Sequence, residues 1–416
     1  MKNIFSTLLV LVALKATAQI ACINYNTTNS PLPDNTVYSI AAHPLDSVAY
    51  DNIWIGTNGG LVHYNAGSWT TYTIADGLPD NSIRSVYVAP DSTVWCGTFT
   101  SGLVKFKNGV FTNFNTANSN LPDDFVKGIA FEAPSTVWIA TTGGLAKIKN
   151  DTITAYDLSQ LGLESNHVAA IAVRPDGVKI FGMVNGGFAY YNDTTFTFYT
   201  HNNSSLPDNT IASIALDEQG NPYMAMPTGG LVAHFGGNIF QVYNQGTIPS
   251  MESNSFRCVV RDPWGFWAGS VDKGVFRKTG TGNFINQTSL NIVTETVPAD
   301  FILCGHVPPA TFKNQVLNAW FGGDQGGLFN VQLSNAINTG AIDNTVAFWQ
   351  GNDNQLLIKS GNKLLQVTAY GIDGRLIAEA NPNDVSALLN LSNNHGIVII
   401  RAVTTKGIAV GKVVVE

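Results

Sequence analysis

Apolar residues come along this chain in short runs, broken by Gly, Asn, Asp or Pro, and one run keeps returning. Trp138-Ile139-Ala140-Thr141-Thr142-Gly143-Gly144-Leu145 has an aromatic anchor, a small residue two places on, a polar turn, a Gly pair and an aliphatic. That order predicts strand, tight turn, strand. Related runs begin at Trp54, Trp95, Ile180, Tyr223, Trp267 and Trp320, so the seven anchors at 54, 95, 138, 180, 223, 267 and 320 are 41, 43, 42, 43, 44 and 53 residues apart. A period in the low forties built from short strands predicts propeller blades, each a small sheet that cannot bury both faces alone. The expected fold is therefore all-β, a seven-bladed β-propeller.

The flanks of each anchor repeat as well. Leu32-Pro33-Asp34-Asn35, Leu78-Pro79-Asp80-Asn81, Leu121-Pro122-Asp123-Asp124, Leu163-Glu164-Ser165-Asn166 and Leu206-Pro207-Asp208-Asn209 each precede an apolar strand, with looser forms at Ile248 and Pro298. Two further strands follow each Gly pair, as in Leu61 to Tyr64 and Trp69 to Thr73, giving four strands per blade. The seventh repeat lacks its outer strand. Ile20 to Ser30 before Leu32-Pro33 matches Val110 to Ser119 before Leu121-Pro122 almost position for position, so the chain's own beginning is expected to close the ring. Closure removes the exposed sheet edge that an open array would leave.

This succession of Leu-Pro-Asp-Asn, apolar strand, Trp-Ile-Gly-Thr and Gly-Gly-Leu resembles the two-component regulator propeller repeats of bacterial periplasmic sensors and secreted proteins. The resemblance covers roughly residues 20 to 333 and is most faithful at 78 to 103, 121 to 145 and 206 to 231. The sensors carry about twice as many repeats, with a sandwich module, a membrane helix and a kinase. Seven repeats and no membrane helix here mean that sensing does not transfer with the likeness.

After residues 19–333 the grammar changes: 334–344 reads as a linker and 345–416 as a small antiparallel β-sandwich of immunoglobulin-like type. Val367-Thr368-Ala369-Tyr370 into Gly374-Arg375, Asn394-His395-Gly396 and the terminal Lys412-Val413-Val414-Val415 resemble the C-terminal sorting domain of proteins exported by the type IX secretion system (type A, Por). The resemblance implies an address read by the outer-membrane secretion machinery.

At the other end, Lys2, the apolar stretch Ile4 to Leu14 and Ala16-Thr17-Ala18 have the form of a signal peptide, expected over residues 1–18, which places the mature chain in the medium or on the cell surface. The formal charge of −7 disfavours nucleic acid and anionic membrane as partners, and no segment is long enough to span a bilayer. Cys22, Cys96, Cys258 and Cys304 lack zinc-site spacing. Cys258 and Cys304 share a register in adjacent repeats, where side chains follow rather than face each other, so buried thiols are expected instead of a disulfide. No metal site, cofactor or catalytic motif is indicated.

Candidate chemistry lies on the rim that carries the Leu-Pro-Asp-Asn connections. Asp34, Asp80, Asp123 and Asp208 could form an acidic crown for calcium or a polar ligand, but Asp after Pro more often binds local backbone to set a turn. Just inside, the second residue of each inner strand reads Tyr38, Arg84, Lys127, Ala169, Ala212, Arg257 and Leu303, and the next is uniformly small. Tyr38, Arg84, Lys127 and Arg257 are the expected ligand-binding residues, for a carboxylate or acidic sugar at the channel mouth. The alternative is that long side chains simply reach into a wet channel. On the opposite rim two long loops, at His43 to Asp46 and at His306 to Pro309, are expected side by side. The functional expectation is a non-catalytic glycan- or protein-binding propeller, the alternative a secreted polysaccharide lyase or hydrolase acting at the same mouth.

Overall fold

The computed structural model describes residues 19–45, 51–161, 165–249, 251–263, 265–279, 284–286, 301–308, 312–313, 316–334, 347–350, 355–371, 376–391, 396–405 and 408–415. The expected signal segment, nearly all of the linker and parts of both long loops lie outside them. Gln19–Ser334 makes one compact unit and the chain from Asn335 belongs to another.

Seven antiparallel sheets of the first unit repeat one plan. In blade three the inner strand Val126–Glu132, the anchor strand Thr136–Thr141, the third strand Gly144–Lys149 and the outer strand Thr152–Tyr156 pair in chain order. All six residues of its anchor strand are buried, because neighbouring blades cover both faces of the sheet there. The outer strand alternates toward solvent instead.

Close approach between blades explains the small residue two places after each anchor. A Cβ on Gly97 would lie 2.7 Å from the carbonyl oxygen of Val126, the first inner-strand residue of blade three. One on Gly322 of blade seven would lie 2.4 Å from Val37 Cγ1 of blade one, so the same contact closes the ring. Gly322 is thus as constrained as its counterparts inside the array.

The seventh blade takes its outer strand from the start of the chain. Gln19–Tyr25 runs antiparallel to Leu328–Ser334, from Gln19 opposite Ser334 to Tyr25 opposite Leu328. An aromatic clasp ends this pairing: the Tyr25 ring lies 5.4 Å from Trp69, 5.7 Å from Tyr64 and 6.2 Å from Trp320. Such contacts add about 1 kcal/mol each beyond area burial.

Burial pushes the Cys258 thiol up to about 12, and the Cys96 and Cys304 thiols upward too. Cys22, Cys96, Cys258 and Cys304 are all buried, and none is in a disulfide. Burial of this kind makes them packing groups rather than nucleophiles.

The second unit is built on one long strand, Gln355–Gly371. Its first part pairs with Ala347–Gln350 and Asp384–Asn390; its last part pairs with Leu376–Ala380 and Gly396–Thr404, the latter also pairing with Ile408–Val415. Leu356, Ile358, Val367, Leu389 and Ile400 from both parts share one apolar core. The long strand thus joins all six strands of this unit into one antiparallel sheet.

Candidate binding site at the channel mouth

The mouth is built on an irregularity that periodicity does not reveal. Between inner and anchor strands the ladder slips at Val37/Ser39, Ile83/Ser85, Val126/Gly128, Val168/Ala170, Phe256/Cys258 and Ile302/Cys304. The skipped residues are Tyr38, Arg84, Lys127, Ala169, Arg257 and Leu303, so the variable ring is a ring of β-bulges. A bulge bends its strand and re-aims the extra side chain, which frees these positions from the demands of the sheet faces. Blade five differs: its inner strand begins at Ser213, and the Ala212 N–H donates to the Ala225 carbonyl at 2.9 Å.

Three of the four expected residues sit in one electrostatic neighbourhood. The Arg84 guanidinium lies 3.8 Å above the Tyr38 ring, 4.5 Å from Phe99 and 5.7 Å from Phe125. Lys127 Nζ is 5.4 Å from the centre of the Phe125 ring, and Phe99 meets Phe125 edge-on at 4.7 Å. Arg257 stands over Phe301 at 5.8 Å. Burial, then the charges of Arg257 and Arg84, hold the Lys127 ammonium below its ordinary value, which links all three cations.

None of these three is paired with a carboxylate among the described residues, and the Arg84 Nε is buried with no hydrogen-bond partner. The carboxylates of the same rim are engaged elsewhere. Asp34, Asp123 and Asp208 each accept the backbone N–H two residues on at 2.7 Å; Asp80 accepts that of Ser82 at 2.8 Å and that of Thr100 at 2.9 Å. Among the described residues no three His, Cys, Asp or Glu side chains are placed to hold a metal.

His167 completes the mouth. Burial first, then the charge of Lys127, lowers its pKa to about 4, with Asp123 opposing, and its Nε2 is buried without a partner. Sequence reasoning missed His167, Phe99, Phe125 and Phe301. Reading the register one residue further out would have found three of them, since Thr36, Ser82, Phe125, His167, Thr210, Ser255 and Phe301 precede the inner strands. Phe99 had a weaker signal, a lone aromatic in a turn that elsewhere carries Asn58, Thr142 or Asp324.

Chemically, the arrangement offers flat aromatic faces under cations that no protein anion neutralises. Neither Arg84 nor Arg257 hydrogen-bonds to a His, Tyr, Asp or Glu among the described residues, and Tyr38 presents its ring face rather than its hydroxyl. An acid–base pair of the kind that lyase or hydrolase chemistry requires is not assembled at these two residues.

No family model and no curated protein matches the chain. Solved structures do. The extracellular domain of the hybrid two component system BT3049 from B. thetaiotaomicron superposes with a TM-score of 0.61 at 16% identity, over 95% of this chain and 57% of that one. PorZ, a surface component of the type-IX secretion system of Porphyromonas gingivalis, gives 0.56 at 15% identity, over 92% of this chain and 60% of that one. A streptogramin B lyase gives 0.58 at 16% identity, over 76% of this chain and 98% of that one. At such identities the likeness shows the fold, a propeller, and this chain spans about 57 to 60% of the length of the first two. Among the described residues no helix is long and apolar enough to cross a membrane.

Proposed function

We propose that the propeller is a non-catalytic extracellular binding module whose mouth holds an acidic glycan or similar carboxylate ligand. The observation that carries this reading is the set Arg84, Lys127 and Arg257, unpaired among the described residues and laid against Tyr38, Phe99, Phe125 and Phe301. A ligand carboxylate gains charge-assisted hydrogen bonds there, while the aromatic faces accept the flat side of a sugar ring. In a chain of net charge −7, such local positive potential has a specific use rather than a general one. Residues 1–18 would direct export, and the sandwich of 345–416 would be read by outer-membrane secretion machinery, placing the propeller on the cell surface or in the medium. Extracellular and surface propellers among the structural neighbours support that placement.

The rival reading, a secreted polysaccharide lyase or hydrolase at the same mouth, draws on the streptogramin B lyase likeness alone. Residues 19–334 titrated with acidic glycans of defined charge test the proposal. Arg84→Ala with Arg257→Ala should weaken binding at least tenfold, the loss of about 1.4 kcal/mol. Unchanged binding refutes the site, and release of unsaturated or reducing sugar ends refutes the non-catalytic reading.

A further inference from the structure

The far rim, away from the mouth, holds a site of another kind. At the seam between blades three and four, the side chain of Lys179 is wholly buried. Its Nζ lies 2.6 Å from Asp193 Oδ1 and 3.2 Å from Glu132 Oε1, while Trp138 Nε1 donates to Glu132 Oε2 at 2.7 Å. This triad plugs the gap between two blades.

The same three register positions one seam earlier are Ala89, Val137 and Asn150. The ladders fix the correspondence: Ala130 faces Trp138 as Tyr87 faces Trp95, which aligns Glu132 with Ala89; Val137 and Lys179 each precede the anchor residue; Ile148 and Tyr191 face those two, which aligns Asn150 with Asp193. None of the three replacements carries a charge. Between blades two and three a cleft of about 540 Å³ stands where the plug would be, and Ala89, Val137 and Asn150 all line it. That volume falls within the range of small-molecule sites, about 300 to 1,000 Å³.

The lining selects the class of ligand. Phe131, Val137, Ile148 and Trp95 supply apolar lining. The lips hold Lys105 bonded to Asp151 at 2.6 Å across the seam and Lys107 bonded to Asp91, so two positive and two negative groups cancel. With no net charge at the lips, the cleft offers a charged ligand no attraction to offset its desolvation, a cost that a neutral ligand escapes. We propose that this cleft is a second binding site, taking a neutral, ring-bearing small molecule whose apolar body lies on Phe131, Val137 and Ile148 and whose polar edge meets the paired Lys and Asp groups.

The neutral fluorophore N-phenyl-1-naphthylamine, titrated into the full chain, is the probe. Saturable fluorescence enhancement is expected. Ala89→Glu with Val137→Lys, which rebuilds the neighbouring plug, should weaken it at least tenfold, as should Ser135→Trp, which roofs the cleft from its exposed lip. Arg84→Ala at the mouth should leave it unchanged, which separates failure here from failure of the mouth site. If the plugged variant does not fold by circular dichroism, Ser135→Trp decides alone. Absence of saturable binding to the full chain, or saturable binding that the folded cleft variants leave intact, overturns the proposal.

Discussion

The two rims of the propeller handle charge in opposite ways. On the far rim six basic side chains, Lys105, Lys107, Arg174, Lys179, Arg261 and Arg277, each lie within bonding distance of a carboxylate. At the mouth, Asp34, Asp80, Asp123 and Asp208 bind backbone N–H groups, and Arg84, Lys127 and Arg257 are left without a carboxylate among the described residues. Asp after Pro sets a turn on both rims, since Asp91 and Asp176 also accept the N–H two residues on. Those two bind Lys107 and Arg174 as well, while among the described residues no cation reaches the four at the mouth. Charges on the far rim are therefore paired inside the protein, three of the pairs (Lys105–Asp151, Lys179–Glu132 and Arg261–Glu218) crossing from blade to blade, and those at the mouth are available to something outside the chain.

The sharpest way to break this comparison is to remove one cation from each rim. Lys179→Met strips a buried ammonium from Glu132 and Asp193 and should cost about 2 kcal/mol, less than a fully enclosed pair because Asp193 is 59% exposed. Urea unfolding measures it, and binding at the mouth should not change. A loss below about 0.5 kcal/mol would reduce the far-rim pairs to surface ornament.

Lys127→Met should act with the opposite sign. Its ammonium is held below the ordinary 10.5 in the folded state, so it penalises folding wherever both states are protonated, and the penalty fades as pH rises from the folded value through 10.5. Relief of the like charges is expected to stabilise the variant at neutral pH, on the order of 0.5 kcal/mol, while ligand affinity falls. The gain should vanish in strongly alkaline buffer. Equal destabilisation by both substitutions would erase the distinction between the rims.

How much of this could be read beforehand follows from where the information lies. The blades were legible because anchor and Gly pair recur within one strand-turn-strand, and Tyr38, Arg84, Lys127 and Arg257 because they share one register. The bulges that aim those four side chains leave no mark in composition; they arise from a slip between two strands. Pairs such as Lys105 with Asp151 cross from blade to blade, 46 residues apart, and depend on how neighbouring sheets rotate against each other. The gap at Ala89 and Val137 appears only once the Lys179 plug is seen next door.

Two histidines offer the finest test. His167 at the mouth and His306 in the seventh blade both have pKa values lowered to about 4, but from different causes. For His306 burial alone suffices; for His167 the charge of Lys127 is added to burial. In each case the folded state resists protonation, so stability falls as pH drops from 6.5 toward 4. Lys127→Met, or a bound polyanionic glycan, should raise the His167 midpoint in an NMR titration and leave that of His306 where it is. A shift in neither means that the Lys127 ammonium does not reach the mouth; a shift in both means a global loosening rather than a local charge. Only movement confined to His167 ties the unpaired cations to one shared space, the one an acidic ligand would fill.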